Sequence, residues 1–256
     1  MSRDFEREIG ELARVVSRSG ANVFFTGAGV STESGIPDYR DEGGIWARHR
    51  PVYFHEFMTS RQARITYWQQ KVEFYCRLRA TRPNPAHLAI AKLCSMGLVD
   101  AVITQNIDGL HQAAGTPGDK VIELHGNGLR VRCMSCGELS PINHALSRVE
   151  SGDEAPECRC GGFLKPDTIS FGQAMPEDEL GRAIHFARTA ESFIAVGSTL
   201  VVQPASHLPL NAKQNGACLA IITLSETPLD QLADIRIPCK AGDALQNLVD
   251  RIESAP

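Results

Sequence analysis

The sequence lacks any apolar run long enough to cross a membrane. It also shows no internal repeat and no low-complexity tract. Its opening residues, MSRDFEREIGELARVV, include acidic side chains where a signal or transit peptide would have a basic, acid-poor stretch. We therefore expect a cytoplasmic protein that has no membrane partner.

A basic excess is missing as well. The chain has 26 Lys and Arg residues against 30 Asp and Glu residues, which gives a formal net charge of -4, and the sequence pI is near 6.1. Proteins that bind nucleic acid or anionic membranes usually carry an excess of positive charge. We therefore expect no direct nucleic-acid binding.

The length and composition are those of a globular protein. With 256 residues and 43% hydrophobic content, the chain suffices for one large domain, or for one domain with a small satellite. Eight cysteines require an explanation. In a cytosolic chain of this size they favour metal binding over a disulfide framework.

An unusual stretch begins at Val23, where a short apolar run leads into the small-residue turn Thr26-Gly-Ala-Gly-Val-Ser. The pattern predicts a buried parallel strand that turns tightly into a helix. Gly27 and Gly29 are expected to take positive φ and to admit a close approach to the main chain. Ser31 and Thr32 are expected to cap the helix, whose amino end would hold a diphosphate. A turn with no ligand remains the alternative, because Gly-x-Gly alone is a weak signal.

Strands and helices alternate along the rest of the chain, which predicts an α/β fold with a doubly wound parallel sheet, Rossmann-like in form. Strands are expected at 98–104, 121–124, 164–172, 193–196 and 218–224. Helices are expected at 4–19, at 84–96 with a cap that begins at Asn84, and at 176–190, 207–215 and 244–252, with short helices between 51 and 82. Polar side chains follow several strands, and in open α/β sheets such positions contact ligands.

The cysteines gather where the periodicity is lost. Cys133-x-x-Cys136 and Cys158-x-Cys160 are each followed by glycine and bracket a polar linker. The spacing predicts a zinc ribbon, although the second pair is one residue short, and thiols that only pack or oxidise are the alternative. Four thiolates would close the coordination shell, so the zinc would be structural. The remaining cysteines are expected to be packing residues: Cys76, Cys94, Cys218 and Cys239.

Several motifs occur in an order that resembles the sirtuins, the NAD-dependent protein deacylases. They are GAGVSTESGIPDYR (27–40), TQNIDGLH (104–111), ELHG (123–126), the four cysteines, KPDTISFG (165–172) and GSTLVVQP (197–204). SGIPDYR, ARITYW (63–68) and PNPAH (83–87) are most similar to the class II branch. The resemblance covers nearly the whole chain, and it implies the NAD and zinc ligands, the activity and the residue roles described next.

In sirtuins the acyl-lysine carbonyl oxygen attacks C1′ of the nicotinamide ribose and expels nicotinamide. The resemblance makes His125 the general base for a ribose hydroxyl, and an imidazole suits this role because its pKa lies near neutrality. Asn106 and Asp108 would receive the carboxamide of nicotinamide, and Gln105 would contact the ribose. His111 is expected to be structural.

The resemblance implies further NAD contacts. At the nicotinamide and diphosphate ends they are Gly27, Ala28, Gly29, Ser31, Thr32, Ile36, Pro37, Asp38, Tyr39, Arg40, Gln105, Asn106, Ile107, Asp108 and His125. At the adenine end they are Gly197, Ser198, Thr199, Thr223, Ser225 and Ala241. The chain has Thr223 where many family members have Asn, which bears on NAD affinity.

The substrate is expected to be an acylated-lysine protein, which pairs its main chain with residues after a late strand. These residues are Ile169, Ser170, Phe171, Gly172 and Gln173. Tyr75-x-x-Leu78 lacks the Arg with which succinyl-preferring members bind a carboxylate. We therefore expect uncharged acyl groups, acetyl or longer.

The resemblance also implies three units: an NAD-binding domain (1–50, 84–129 and 164–256), a helical insertion beside the cleft (51–83) and a zinc-binding domain (130–163). Two other functions remain possible on the sequence. One is mono-ADP-ribosyl transfer at the same NAD site, which some class II relatives suggest. The other is a non-catalytic zinc-ribbon module, which the presence of His125, Asn106 and Asp108 disfavours.

Overall fold

In the computed structural model, residues 3–37 and 50–255 are described. Within these ranges the helices are α1 (Arg3–Arg18), α2 (Phe54–Thr59), α3 (Arg61–Leu78), α4 (Pro85–Ser95), α5 (Leu110–Ala113), α6 (Ile142–Glu150), α7 (Glu177–Thr189), α8 (His207–Gln214) and α9 (Ala241–Glu253). The strands are β1 (Asn22–Thr26), β2 (Ala101–Thr104), β3 (Val121–Glu123), β4 (Gly126–Cys133), β5 (Leu139–Pro141), β6 (Leu164–Thr168), β7 (Ser192–Val196), β8 (Cys218–Ile222) and β9 (Ile235–Ile237).

The larger sheet has six strands in the order β3-β2-β1-β7-β8-β9, and every neighbouring pair is parallel. The chain runs outward from β1 through β2 to β3, and then returns to β7 on the other side of β1. The predicted doubly wound sheet is therefore confirmed. In such sheets ligands bind at the carboxyl ends of the strands, where the winding direction reverses, which here lies between β1 and β7.

Helices cover both faces of this sheet. Phe24 of β1 packs in a core shared with α1, α4 and α9, whereas Val23 and Phe25 pack in a second core with α7 and α8. Successive side chains of a strand point to opposite faces, so a strand covered on both sides is apolar at every position. This explains the short unbroken apolar runs in the sequence.

A third core joins α3 to the smaller sheet and includes Trp68, Tyr75, Val131 and Leu146. The aromatic residues between 51 and 82 are therefore mainly core residues. The prediction of short helices in this segment was wrong in one respect, since α3 is a single helix of 18 residues. The indole N–H of Trp68 donates to the carbonyl of Leu164 and the Tyr67 ring packs against Phe57. Because α3 has neighbours on several sides, its apolar residues form no single stripe.

The smaller sheet has the order β5-β4-β6 and is antiparallel. The strand predicted over 164–172 ends at Thr168 and pairs with β4 rather than with the parallel sheet. Helix α6 lies within the cysteine region, where no helix was predicted. The small sheet thus extends beyond 130–163 on both sides, and the three-domain division stays a prediction.

Two features at the carboxyl end were also missed. Strand β9 has only three residues, and α9 begins at Ala241, three residues earlier than predicted. Cys76 is exposed rather than packed, whereas Cys94 is buried. In residues 3–37 and 50–255, no helix combines the length and the apolar character needed to span a membrane.

Candidate active site

The turn after β1 lies directly against the turn after β7. The amide of Gly27 donates to Val196 O at 3.0 Å and that of Gly29 donates to Gly197 O at 2.8 Å. The prediction of positive φ was wrong, because Gly27 has φ −127° and Gly29 is not among the positive-φ residues of the described chain. Glycine is needed here for the close approach, since a Cβ on Gly29 would lie 2.8 Å from Gly197 O.

The turn does not lead into an α-helix. Two short 3₁₀ segments follow it, Ala28–Val30 and Thr32–Ser34. Ser31 makes no capping bond with its side chain, and the Thr32 hydroxyl donates backward to Gly29 O at 3.0 Å. The predicted capped α-helix was therefore wrong, whereas the diphosphate site stays a prediction. The hydroxyl of Ser31 is used elsewhere.

Ser31 joins the two polar residues predicted at the nicotinamide end. Its hydroxyl donates to Asp108 Oδ2 at 2.7 Å and accepts from Asn106 Nδ2 at 3.0 Å. Asn106 Nδ2 also lies 3.1 Å from Gly27 O, and Leu110 N donates to Asp108 Oδ1 at 2.9 Å. Asn106 and Asp108 are each 7% exposed. The structure thus brings these three residues into one hydrogen-bonded group.

His125 follows β3 at the same edge of the parallel sheet. Its Nδ1 lies 2.9 Å from Gln105 O, and because a carbonyl only accepts, Nδ1 carries the proton and Nε2 keeps its lone pair. Burial lowers the pKa of His125, and the bond to the Gln105 carbonyl raises it to a smaller extent. The imidazole is consequently neutral at pH 7, with Nε2 able to accept a proton.

Asn84 and His87 support this group, although the sequence indicates only a capping role for Asn84. Asn84 Oδ1 does cap α4, accepting from Ala86 N at 2.9 Å. Its Nδ2 also donates to Val30 O at 2.7 Å, while His87 Nε2 lies 3.5 Å from the Ser31 hydroxyl. The Pro-Asn-Pro-Ala-His motif was the available signal, and its second function depends on a contact over 50 residues away in sequence.

His111 has the structural role expected for it. Its Nε2 lies 2.9 Å from the hydroxyl of Thr26, and its ring meets that of His87 at a centroid distance of 5.0 Å. Burial, reinforced by the nearby His87, lowers the pKa of His111 to about 3. This histidine is therefore neutral in the folded protein at all ordinary pH values.

The residues predicted for the adenine end follow β7, β8 and β9, so they share the same edge. Gln105 Nε2 donates to the Ser198 hydroxyl at 2.9 Å, which joins two predicted contacts across β1. The hydroxyl of Thr223 accepts from Ser225 N at 3.3 Å. Thr223 is 8% exposed, and Ser225 is exposed.

Glu33 is a contact that the sequence did not indicate. Its carboxylate accepts from Gly242 N at 2.8 Å, at the amino end of α9 and beside Ala241. A Cβ on Gly242 would lie 2.9 Å from the same carboxylate. Glu33 thereby ties the turn after β1 to the last helix.

The residues present fit NAD by their chemistry. The amide of Asn106 and the carboxylate of Asp108 suit a carboxamide, and hydroxyl groups at Ser198 and Thr223 suit a ribose. Ile36 is 8% exposed and packs in the third core. The predicted contacts at residues 38–40 (Asp38, Tyr39 and Arg40) lie outside the described residues.

The four predicted zinc ligands come together. The sulfur atoms of Cys133, Cys136, Cys158 and Cys160 all lie within 4.8 Å of one another. Cys133 and Cys160 are 3.5 Å apart, and Cys136 and Cys158 are 3.8 Å apart. A tetrahedral zinc with bonds of about 2.3 Å requires sulfur separations of roughly 3.8 Å. The donor set thus fits a closed structural zinc site, and the Cys-x-Cys spacing does not prevent it.

The predicted substrate segment, residues 169–173, leaves the end of β6 close to His125. Ile169 N donates to His125 O at 2.9 Å, and Ser170 N donates to the side chain of Gln173 at 3.1 Å. Phe171 O accepts from Phe54 N at 2.9 Å, and the Phe171 side chain is 50% exposed. Gln173 N also donates to Ser170 O at 3.0 Å. Three amides of this segment are therefore already bonded, which leaves a shorter edge for strand addition than the sequence suggests.

Comparisons with known proteins agree with this geometry. Residues 27–204 match the Sir2 family. The chain is 44% identical over 246 residues to NAD-dependent protein deacetylase 1 of Bradyrhizobium diazoefficiens, covering 96% of each chain. It is 40% identical over 250 residues to NAD-dependent protein deacylase 2 of Archaeoglobus fulgidus, covering 97% of each.

A solved Sir2 structure with a deacetylated peptide and 3′-O-acetyl ADP-ribose is also similar. It superimposes with a TM-score of 0.86 at 35% identity, covering 94% of this chain and 97% of that one. The sheet order, the cysteine cluster and the sequence identity over nearly the whole length all agree. The chain therefore belongs to the Sir2 family.

Proposed function

We propose that the protein is an NAD-dependent protein-lysine deacylase that removes acetyl or longer uncharged acyl groups. The acyl-lysine, NAD and one water give nicotinamide, the free lysine and O-acyl-ADP-ribose. One observation carries the proposal: His125 keeps an unprotonated Nε2 beside the buried group of Asn106, Ser31 and Asp108. The names of the relatives, deacetylase and deacylase, support it.

Each residue of the group has a distinct role in this proposal. His125 Nε2 accepts the proton of a ribose hydroxyl, and the Gln105 carbonyl keeps the ring in the required tautomer. Asn106 and Asp108 hold the carboxamide of the leaving nicotinamide, and Ser31 orients both of them. NAD supplies the electrophilic ribose carbon to which the acyl oxygen is transferred.

Zinc has no part in the chemistry in this proposal. The four cysteines hold it in a closed shell, so no position is left for a water or a substrate. Its role is to order the loops that carry the cysteines.

Residues 36–40 are proposed to complete the nicotinamide end of the NAD site. They are Ile36, Pro37, Asp38, Tyr39 and Arg40.

The preference for uncharged acyl groups rests on two residues of α3. The hydroxyl of Tyr75 donates to Gly128 O, so it is already engaged. Leu78 is 6% exposed and packs in the third core. This pair offers no cation to a succinyl carboxylate, so acetyl-lysine peptides should be turned over far faster than succinyl-lysine peptides. Equal rates for both would contradict the preference.

A single substitution tests the function. His125→Tyr removes the proton acceptor and should abolish release of O-acyl-ADP-ribose from an acetyl-lysine peptide and NAD. His144→Tyr makes the same change at an exposed position on α6 and should leave the rate unchanged. Zinc content and circular dichroism should be the same in both variants. Deacylation that survived in His125→Tyr would overturn the proposed mechanism.

NAD labelled in the ADP-ribose part separates deacylation from mono-ADP-ribosyl transfer. We expect the label in free O-acyl-ADP-ribose, with an acyl-lysine peptide required for nicotinamide release. Label that stays on protein when no acyl peptide is present would favour transfer instead.

We also propose placement in the class II branch and a cytoplasmic location. The motifs SGIPDYR and PNPAH support the first. The four-cysteine cluster supports the second, because metal sites rather than disulfides are typical of cysteines in reducing compartments. The net charge of -4 supports the further proposal that the protein does not bind nucleic acid directly. Retention of the protein on immobilised duplex DNA at 0.15 M salt would contradict it.

A further inference from the structure

Lys165 is a completely buried lysine, with 0% of its surface exposed. Burying an ammonium group is costly unless polar partners receive it. Its Nζ donates to the backbone carbonyl of Thr168 and lies 3.4 Å from that of Pro166. The nearby carboxylate of Asp167 is held by Arg130 and Arg132 instead. Lys165 therefore serves the backbone of its own strand, β6.

Tyr67 of α3 holds the same part of β6. Its hydroxyl lies 3.4 Å from the hydroxyl of Thr168, and Lys165 Nζ lies 5.5 Å from its ring centroid. Burial raises the pKa of Tyr67, but the charges of Lys71 and Lys165 and bonds from Thr168 and Ser170 outweigh this and lower it to about 7. Burial likewise lowers the pKa of Lys165, which Tyr67 partly offsets. The two side chains thus stabilise each other in the interior.

The peptide unit between Thr168 and Ile169 is held from both sides. Its carbonyl accepts from Lys165, and its N–H donates to His125 O at 2.9 Å. In a trans peptide the C=O and N–H point in opposite directions, so these two bonds fix the orientation of the plane. Gly126 pairs with Thr168 across β4 and β6, and a Cβ on Gly126 would collide with Asp167 O.

We propose that Lys165, with Tyr67, is a positioning residue for the acyl-peptide substrate: it fixes the Thr168–Ile169 peptide plane and thereby sets residues 169–173 relative to His125. This inference rests on the proposed function. Without the Lys165 ammonium the Thr168 carbonyl has no buried donor, so the plane can turn and the segment that receives the peptide is displaced. Apart from His125, the predicted NAD contacts follow β1, β2, β7, β8 and β9, so we expect NAD binding to be unaffected.

The test compares three variants by direct binding of a fluorescein-labelled acetyl-lysine peptide, followed by anisotropy. Lys165→Met keeps the length of the side chain and should weaken peptide binding about tenfold, which is the loss expected for one charge-assisted hydrogen bond. Tyr67→Phe removes only a hydroxyl and should weaken it about threefold. Lys71→Met is the matched control, since Lys71 lies 5.1 Å from the Tyr67 ring centroid on the same helix, α3. It should change binding by less than about twofold.

Two further measurements separate positioning from general damage. The KM for NAD and the zinc content should stay at the wild-type values in all three variants. Unchanged peptide affinity in Lys165→Met, or a parallel loss of peptide affinity, NAD affinity and zinc, would overturn the inference. If Lys165→Met does not fold, Tyr67→Phe decides, and unchanged affinity there overturns it.

Peptide binding needs no turnover, which keeps the two proposals apart. A wild-type protein that binds the peptide without releasing nicotinamide would refute the proposed function, and the comparison of variants would still decide the role of Lys165. A wild-type protein that does not bind the acetyl-lysine peptide would overturn both.

Discussion

Gly29 shows how one residue joins the turn after β1 to the turn after β7. Its amide donates to Gly197 O at 2.8 Å, and Gly197 itself has φ 61°. An added Cβ at Gly29 would lie 2.8 Å from that oxygen and 2.9 Å from Gly197 Cα. Because both contacts involve backbone atoms, no side chain can rotate to relieve the collision.

Gly29→Ala should therefore raise the KM for NAD and lower the stability by about 1–3 kcal/mol, as overpacking does. Gly181→Ala is the matched control, because Gly181 lies within α7 with no atom within 4 Å of its added Cβ. Because alanine favours a helix more than glycine does, Gly181→Ala should be neutral or should stabilise the protein by about 0.5–1 kcal/mol. Kinetics at varied NAD and urea unfolding would measure both. A Gly29→Ala variant with wild-type KM for NAD would contradict the close-packing argument.

His125 predicts the acid side of the pH profile. Since burial lowers its pKa below the ordinary value of 6.5, Nε2 is free at neutral pH and becomes protonated only on further acidification. The rate of deacylation at low peptide concentration should hold at pH 6.5 and fall below it. Circular dichroism at each pH provides the control for unfolding. A half-maximal rate above pH 6.5 would show that another group limits the reaction.

The sequence indicated which side chains would gather at this edge of the sheet but not the bonds among them. The polar residues after β2 and β3 were predicted from their place at strand ends, and His125, Asn106 and Asp108 do lie at one edge of the sheet. Ser31 was predicted as a helix cap, yet it bonds to Asp108, which is 77 residues away in sequence. Spacing indicates local bonds, whereas this partner is decided by how β1 and β2 pair.

Among the elements, α3 is joined to the cysteine loops by a stacked pair in addition to the third core. The guanidinium carbon of Arg64 lies 3.6 Å from the ring centroid of Phe163, and its NH1 donates to Phe57 O at 3.0 Å. Phe163 O in turn accepts from Met134 N at 2.9 Å, between the first two cysteines. Arg64 is 8% exposed. The cation–π contact is therefore shielded from water and stabilises the junction more than an exposed contact would.

Removal of zinc by a chelator should consequently loosen more than the cysteine loops. Hydrogen exchange should rise over 133–163 and also at the amino end of α3, while β1, β2 and β7 stay protected. Arg64→Met removes the stack, so in that variant zinc removal should change exchange in α3 less than it does in the wild-type protein. If zinc removal left hydrogen exchange in α3 of the wild-type protein unchanged, that result would contradict this coupling.

Elements with strong periodicity or flanking signals were predicted well, such as α4 with its Asn84 cap and β7 with its apolar run. Two others were missed for physical reasons. Strand β9 is three residues long and needs β8 beside it to form. Helix α6 lies between the cysteine pairs and is fixed by packing Ile142 and Leu146 in the third core, a contact that no local pattern reveals.

For the molecule as a whole, the buried histidines predict the acid limit of stability. His111 is 1% exposed and its pKa is lowered to about 3. Below pH 6.5 His111 becomes protonated in the unfolded chain, whereas in the folded chain it stays neutral down to about pH 3. As the pH is lowered from 6.5 to about 3, the free energy of unfolding should therefore decrease. This residue should contribute on the order of 1 kcal/mol per pH unit.

His111→Gln removes the side chain that takes up this proton on unfolding. The variant should be less stable at neutral pH, because the bond to Thr26 changes, but its stability should fall less steeply between pH 6.5 and pH 4. His144→Gln, at an exposed site, should follow the wild-type slope. Urea unfolding at several pH values would measure this, and equal slopes for His111→Gln and the wild type would contradict the prediction.

The bond between Glu33 and Gly242 spans 209 positions of the chain, which has a consequence for synthesis on the ribosome. The turn after β1 leaves the exit tunnel well before β7, whose following turn it contacts, and before α9, to which Glu33 is bonded. A nascent chain that ends before residue 242 can thus hold its zinc loops but not a finished dinucleotide site. Cofactor capture must wait until α9 has been made.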